Sequence, residues 1–171
     1  MEQQLYQLKR SSAFVSATLM PLSALYKFHS LEHTRGVVRA ARIIGRASQL
    51  TAEQLDAVMI AAWFHDIGYV DGVDGHEERS ASIAAKMLTV WVATGKKIAD
   101  VSRSILATRF PQNPNDILGM VLCDADLSHL ASARYGVHMS NLRKEQEAAL
   151  GIKVGLVSTK HRLSKITSLF H

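Results

Sequence analysis

The chain has 171 residues, the length of one ordinary domain, enough to bury most of its apolar surface around a single core without a second domain. It is 47% hydrophobic but only 6% aromatic. Its apolar runs stop short of the roughly 18 residues of a membrane span, which predicts a soluble globular protein with no membrane segment. The formal net charge of +5 comes from scattered Lys and Arg with no aromatic interleaving. That pattern argues against a nucleic-acid surface and is compatible with an anionic, for instance phosphorylated, small ligand.

The opening MEQQLYQLKRSSAF lacks the basic cluster and apolar stretch of an export signal, so a cytoplasmic location is expected. The single cysteine, Cys123, has no partner for an internal disulfide and reads as a buried packing residue. Helical periodicity runs through nearly every segment and no apolar/polar alternation is sustained, which predicts an all-α fold. Pro21 and Ser23 separate a first helical region from a second, through LEHTRGVVRAARIIGRA, with Val37, Val38, Ala41, Ile44 and Gly45 on one stripe and His33 near its start. The arginines at 35, 39, 42 and 46 read first as a solvated face of that helix.

Thr51 and Gln54 form a capping box that opens the helix AEQLDAVMIAAWFHDIGY, apolar nearly all round at its centre. The glycines of GYVDGVDGHEE end it in a loop. The next helix, about Glu77 to Ala93, places Ile83, Ala84, Met87, Leu88 and Trp91 on one face. After Gly95 a helix KKIADVSRSILATRF is stopped by PQNP. Asn115 or Asp116 caps DILGMVLCDADLSHLA, and two further helical stretches, about Ser132 to Leu150 and Leu156 to Phe170, complete the chain.

Two places in this pattern conflict with burial. His65 and Asp66 lie in the middle of AVMIAAWFHDIGYV, and Asp124 interrupts MVLCDADLSHL. Ionisable groups at such positions are costly unless paired or metal-bound. One divalent cation resolves both conflicts, since imidazole nitrogen and carboxylate oxygen together suit Mn, Fe, Co, Ni, Zn or Mg. His33 is the natural fourth ligand, and the long gaps between these residues require convergence from separate helices. Asp126, two residues past Asp124, points to another helix face and reads as a capping or pairing residue.

FHSLEHT, AAWFHDIGY, HEERS, ILATRFPQNP and LCDADLSHL, in this order, resemble the HD superfamily of metal-dependent phosphohydrolases, most closely its small bacterial members. The resemblance covers about Tyr26 to Glu145 and implies one compact helical HD domain over 1–171, core about 26–145, with the N- and C-terminal helices packed on it. It implies the metal ligands His33, His65, Asp66 and Asp124. It also implies hydrolysis of a phosphomonoester or phosphodiester, with a nucleotide or small phosphate ester as substrate. A cyclic-nucleotide or alarmone phosphodiesterase and a non-catalytic metal-binding module are the alternatives.

In this reading Asp66 or Asp126 orients the attacking water, Asp66 being preferred, while His76, with Glu77, lies on the substrate side and donates a proton to the leaving oxygen. Arg109 and Arg35 are the candidates for binding the phosphoryl group. Where the family has a tyrosine and an asparagine before the first ligand, this chain has Phe28 and Ser30. His76 is the only histidine between the His-Asp doublet and Asp124, which argues for one cation rather than a dinuclear centre.

Overall fold

The computed structural model describes residues 2–24 and 26–150. Among them are seven α-helices and no strand: α1 Glu2–Leu19, α2 Leu31–Ala47, α3 Ala52–Phe64, α4 His76–Val90, α5 Gly95–Ala107, α6 Ile117–Asp126 and α7 Tyr135–Leu150. Short 3-10 turns occupy Pro21–Ala24, Ile67–Asp71 and Leu127–Ala131. The expected helix at 156–170 lies outside the described residues. No helix among the described residues is long and apolar enough to cross a membrane.

The centre of the fold is α3. Every residue from Asp56 to Phe64 is buried, because the helix is apolar on all sides and packs against α1, α2, α4, α5 and α6. The expected capping box is formed, with Thr51 Oγ1 accepting from the Gln54 amide and the Gln54 side chain accepting from the Thr51 amide. The helix stops at Phe64, earlier than periodicity suggests, and the chain passes through His65 and Asp66 into the 3-10 turn. Those two residues therefore stand at the end of a buried helix, where the backbone turns.

The surrounding helices follow the same amphipathic logic. In α2, Val37, Val38, Ala41 and Gly45 are buried while Arg35, Arg39, Arg42 and Arg46 are exposed. In α4, Ala84 and Leu88 face the core, and Trp91 just past the helix closes an aromatic group with Phe14 of α1 and Phe64 of α3. A polar link also ties α1 down: Lys97 of α5 donates to Asp56 of α3 at 2.7 Å and to Gln7 of α1 at 2.9 Å. Asp116 is the cap of α6, its Oδ1 accepting from the Gly119 amide at 2.8 Å. Cys123 is buried, donates from Sγ to the Ala107 carbonyl at 3.3 Å, and burial pushes its thiol up to about 11, in keeping with a packing role.

Candidate metal centre

Three helix ends meet on one side of α3. The first turn of α2 carries His33, the end of α3 carries His65 and Asp66, and the last residue of α6 is Asp126. His33 Nε2 lies 3.1 Å from Asp126 Oδ1 and 3.5 Å from Asp66 Oδ2. His65 Nε2 lies 3.1 Å from Asp66 Oδ2 and 3.6 Å from Asp126 Oδ1. His33, His65 and Asp66 each offer a donor atom within 4.8 Å of the others. The rings of His33 and His65 are almost wholly enclosed, with side-chain exposures of 6% and 2%.

The hydrogen bonding of His65 determines what it offers. Its Nδ1 lies 2.9 Å from the carbonyl of Ala62, and since a carbonyl only accepts, Nδ1 carries the hydrogen. In the neutral ring Nε2 is then a bare lone pair aimed at the Asp66 carboxylate. These two buried atoms, His65 Nε2 and Asp66 Oδ2, are those left without a hydrogen-bond partner among the described residues. Two acceptors facing each other in a dry site require a positive charge between them, as a proton or a cation. A nitrogen oriented through its opposite ring hydrogen, beside carboxylate oxygens, is also how a histidine is prepared for a divalent metal. The residues present fit such an ion.

Held close without a metal, these groups shift one another. Burial alone would lower the His65 imidazole, but Asp66 and Asp126 outweigh it and raise it well above its ordinary value. Burial likewise works against ionisation of Asp66, yet the neighbouring His65, with His29 and His33, holds it well below the usual carboxylate range. Asp126 is depressed in the same way, against burial, by His33 and His65.

Asp124 does not join this cluster. It is exposed, whereas Asp126, read from sequence as a pairing residue, approaches both histidines. The cause is helical phase. Asp124 follows Ile117 and Met120, both exposed, at i+7 and i+4, while Asp126 follows the buried Gly119 and Leu122 at the same spacings. The two carboxylates are about 200° apart around the helix axis, so only one faces α2 and α3.

The start of α4 brings a further histidine to the rim. His76 Nδ1 donates to the Val73 carbonyl at 2.9 Å and lies 3.3 Å from Glu77 Oε2, leaving Nε2 3.8 Å from Asp66 Oδ1. Two features hold this loop. Gly68 passes so close to His76 that a Cβ there would lie 2.1 Å from the His76 carbonyl oxygen. Arg79 donates to the carbonyls of Gly68, Gly72 and Asp74, while Ser80 Oγ accepts from the Gly68 amide at 2.9 Å. HEERS is thus a clamp on the loop that follows His-Asp.

Next to His76, whose ring centroid lies 6.3 Å from that of His29, Glu145 of α7 organises the segment leading into α2. Its Oε2 accepts from the amides of Phe28 at 2.9 Å and His29 at 3.2 Å, and its Oε1 pairs with His29 Nδ1. The His29 ring stacks on Tyr69, with centroids 4.3 Å apart and planes within 17°. Ser30 is the N-cap of α2, its Oγ accepting from the His33 amide at 3.5 Å. Phe28 packs on the His33 ring at 4.8 Å between centroids.

Beside His33 and Asp126 opens a cleft of about 250 Å³ whose lining includes His129, His138, Arg39 and Arg134. The two arginines expected at the substrate lie elsewhere: Arg35 is exposed on α2, one turn before Arg39, and Arg109 is paired with Glu78 at 2.7 Å on an exposed surface. His129 lies inside LCDADLSHL, where the aspartates alone drew attention, while His138 and Glu145 carry no recognisable motif. The one sequence signal available is that 138 and 145 are seven apart in α7 and so share a face.

An all-helical core that gathers histidines and aspartates at the ends of three helices defines a class of helical metal-site domain. Compared with known protein families, the chain matches the HD domain over residues 30–131, more than half its length, and it belongs to that family. Neither the curated proteins nor the solved structures gave a match. HD domains bind divalent metals and in general serve metal-dependent phosphohydrolases, with which the His33, His65 and Asp66 cluster is compatible.

Proposed function

We propose that this protein is a phosphohydrolase that uses one divalent cation, held by His33, His65, Asp66 and Asp126, to cleave the phosphate ester of a small molecule such as a nucleotide. The observation that carries the reading is the pair of buried, partnerless acceptors His65 Nε2 and Asp66 Oδ2, in a chain of the HD family. When bound, the cation supplies Lewis acidity toward a phosphoryl oxygen and toward water.

The residues around it divide the remaining work. Asp66 faces the cluster through Oδ2 and His76 through Oδ1, so one carboxylate lies between the metal ligands and the histidine at the rim. His76, with Nδ1 donating to Val73 and facing Glu77, presents Nε2 inward, and in its imidazolium form, which carries a second proton on Nε2, it delivers that proton to the leaving oxygen. The basic lining of the cleft beside His33 and Asp126 receives the phosphorylated substrate.

The test is metal content and hydrolysis of a panel of nucleotides and simple phosphate esters with added Mn. Wild-type protein is expected to bind about one equivalent of metal and to turn over at least one ester, and His65→Ala and Asp126→Asn to lose both activities. Undiminished hydrolysis in these two variants sinks the reading.

A further inference from the structure

One arginine of the cleft's basic lining is held in an ion pair. Arg134, in the turn before α7 and beyond the segment matched to the family, donates from Nη1 to Glu32 Oε1 at 2.9 Å. Glu32 lies in the first turn of α2, one residue before His33. Both residues line the cleft that reaches His33 and Asp126, and both line a smaller cavity of about 30 Å³ alongside it. The side chains are 62% and 73% exposed. A pair so open to water is worth little, about 0–1 kcal/mol, and exchanges readily.

The cleft's other charged groups give the pair a direction. Asp126 is already engaged by His33, so Glu32 is the carboxylate that opposes an incoming anion, while Arg39 and Arg134 attract it. A guanidinium forms two parallel hydrogen bonds to phosphate oxygens, a better match than one bond to an exposed carboxylate. We infer that Arg134 binds the substrate's phosphate group in this cleft and that Glu32 holds Arg134 in reserve through an exchangeable ion pair. The inference rests on the phosphohydrolase reading for its substrate class, but the exchange itself is a binding equilibrium and needs no turnover.

The two partners therefore act with opposite signs on anion binding. Calorimetric titration of inorganic phosphate into the protein with added Mn tests this for wild type, Arg134→Ala, Arg134→Lys, Glu32→Gln and the double variant. All substitutions lie at exposed positions, so unchanged far-ultraviolet circular dichroism and metal content are expected. Arg134→Ala is expected to weaken phosphate about tenfold, with Arg134→Lys in between, because a charge-assisted forked contact is lost or reduced. Glu32→Gln is expected to tighten phosphate about threefold, and most of that gain should vanish when Arg134 is also alanine, as residues acting on each other are not additive.

Unchanged binding in Arg134→Ala, weakened binding in Glu32→Gln, or a wild type that binds no phosphate overturns the inference. The expected signs without hydrolysis of any ester leave the exchange standing and remove the enzymatic reading. Hydrolysis that depends on His65 while Arg134→Ala binds phosphate like wild type does the reverse.

Discussion

His65 Nε2 and Asp66 Oδ2 face each other at 3.1 Å inside the protein, and Ala62 has taken the hydrogen that would let the neutral ring present a proton toward the carboxylate. Without a cation, the arrangement is favourable only when His65 also carries a proton on Nε2. With a cation, the proton is unnecessary and opposes binding.

This predicts a pH dependence that reverses with metal. In chelator-treated protein, His65 is raised above its ordinary 6.5, through Asp66 and Asp126 overcoming burial. Its contribution is present below 6.5 and is lost as pH rises through the raised value. Asp66 and Asp126 are depressed below 3.8, so theirs is present above 3.8 and lost as pH falls through the depressed values. The melting temperature of metal-free protein should therefore be highest between these limits and decline toward alkaline pH. Added Mn should raise it far more at about pH 8 than at about pH 5.5, because ligands bind metal deprotonated. Equal stabilisation at both values contradicts the proposed ligand set.

Asp124 and Asp126 give a paired control. Asp126→Asn removes a charge beside two histidines and should lower metal affinity at least about tenfold, whereas Asp124→Asn, on the exposed face of α6, should leave affinity and melting within error of wild type. Atomic absorption after dialysis against limiting Mn distinguishes them. Metal loss in Asp124→Asn alone would return the ligand role to the residue first suggested by sequence.

That reversal shows what was legible in the sequence. Periodicity, the Thr51 capping box and the prolines after Phe110 were enough for an all-α fold, because each is a local signal. The ionisable doublet in an apolar helix pointed to His65 and Asp66, whose burial follows from α3 being apolar all round. The choice between Asp124 and Asp126 depended on the phase of α6, which Ile117, Gly119, Met120 and Leu122 together reveal but the bare DAD tripeptide does not. Arg134 and Glu145 reach the site from a separate helix and the turn before it, through contacts more than 100 residues apart in sequence, and no local pattern announces them.

Gly68 makes a prediction about the backbone. Its conformation is ordinary, but a methyl group there would lie 2.1 Å from the His76 carbonyl oxygen, and a backbone atom cannot swing aside as a side chain does. Gly68→Ala should cost about 1–3 kcal/mol by overpacking. It should also move His76 away from Asp66, so that catalysis falls more than metal binding. Thermal melting together with Mn titration checks this, and a stable variant with full turnover would show that the close approach is not required.

Glu145 links stability to the site's geometry from outside the matched segment. Its carboxylate accepts from two backbone amides and from His29, and at 6% exposure these partners cannot be replaced by water. Burial alone would raise Glu145, but His29 and the two amides depress it below its ordinary 4.5; burial would lower His29, but Glu145 and the site's aspartates raise it above 6.5. The pair therefore contributes fully between 4.5 and 6.5, and its contribution falls as Glu145 protonates below that window or His29 deprotonates above it. Glu145→Gln should cost about 1–3 kcal/mol there, because the amide offers one acceptor oxygen where the carboxylate offers two. The gap to wild type in chemical denaturation should narrow as pH rises past 6.5. A gap that stays constant across this range would mean that Glu145 acts through shape alone, with no contribution from its charge on His29.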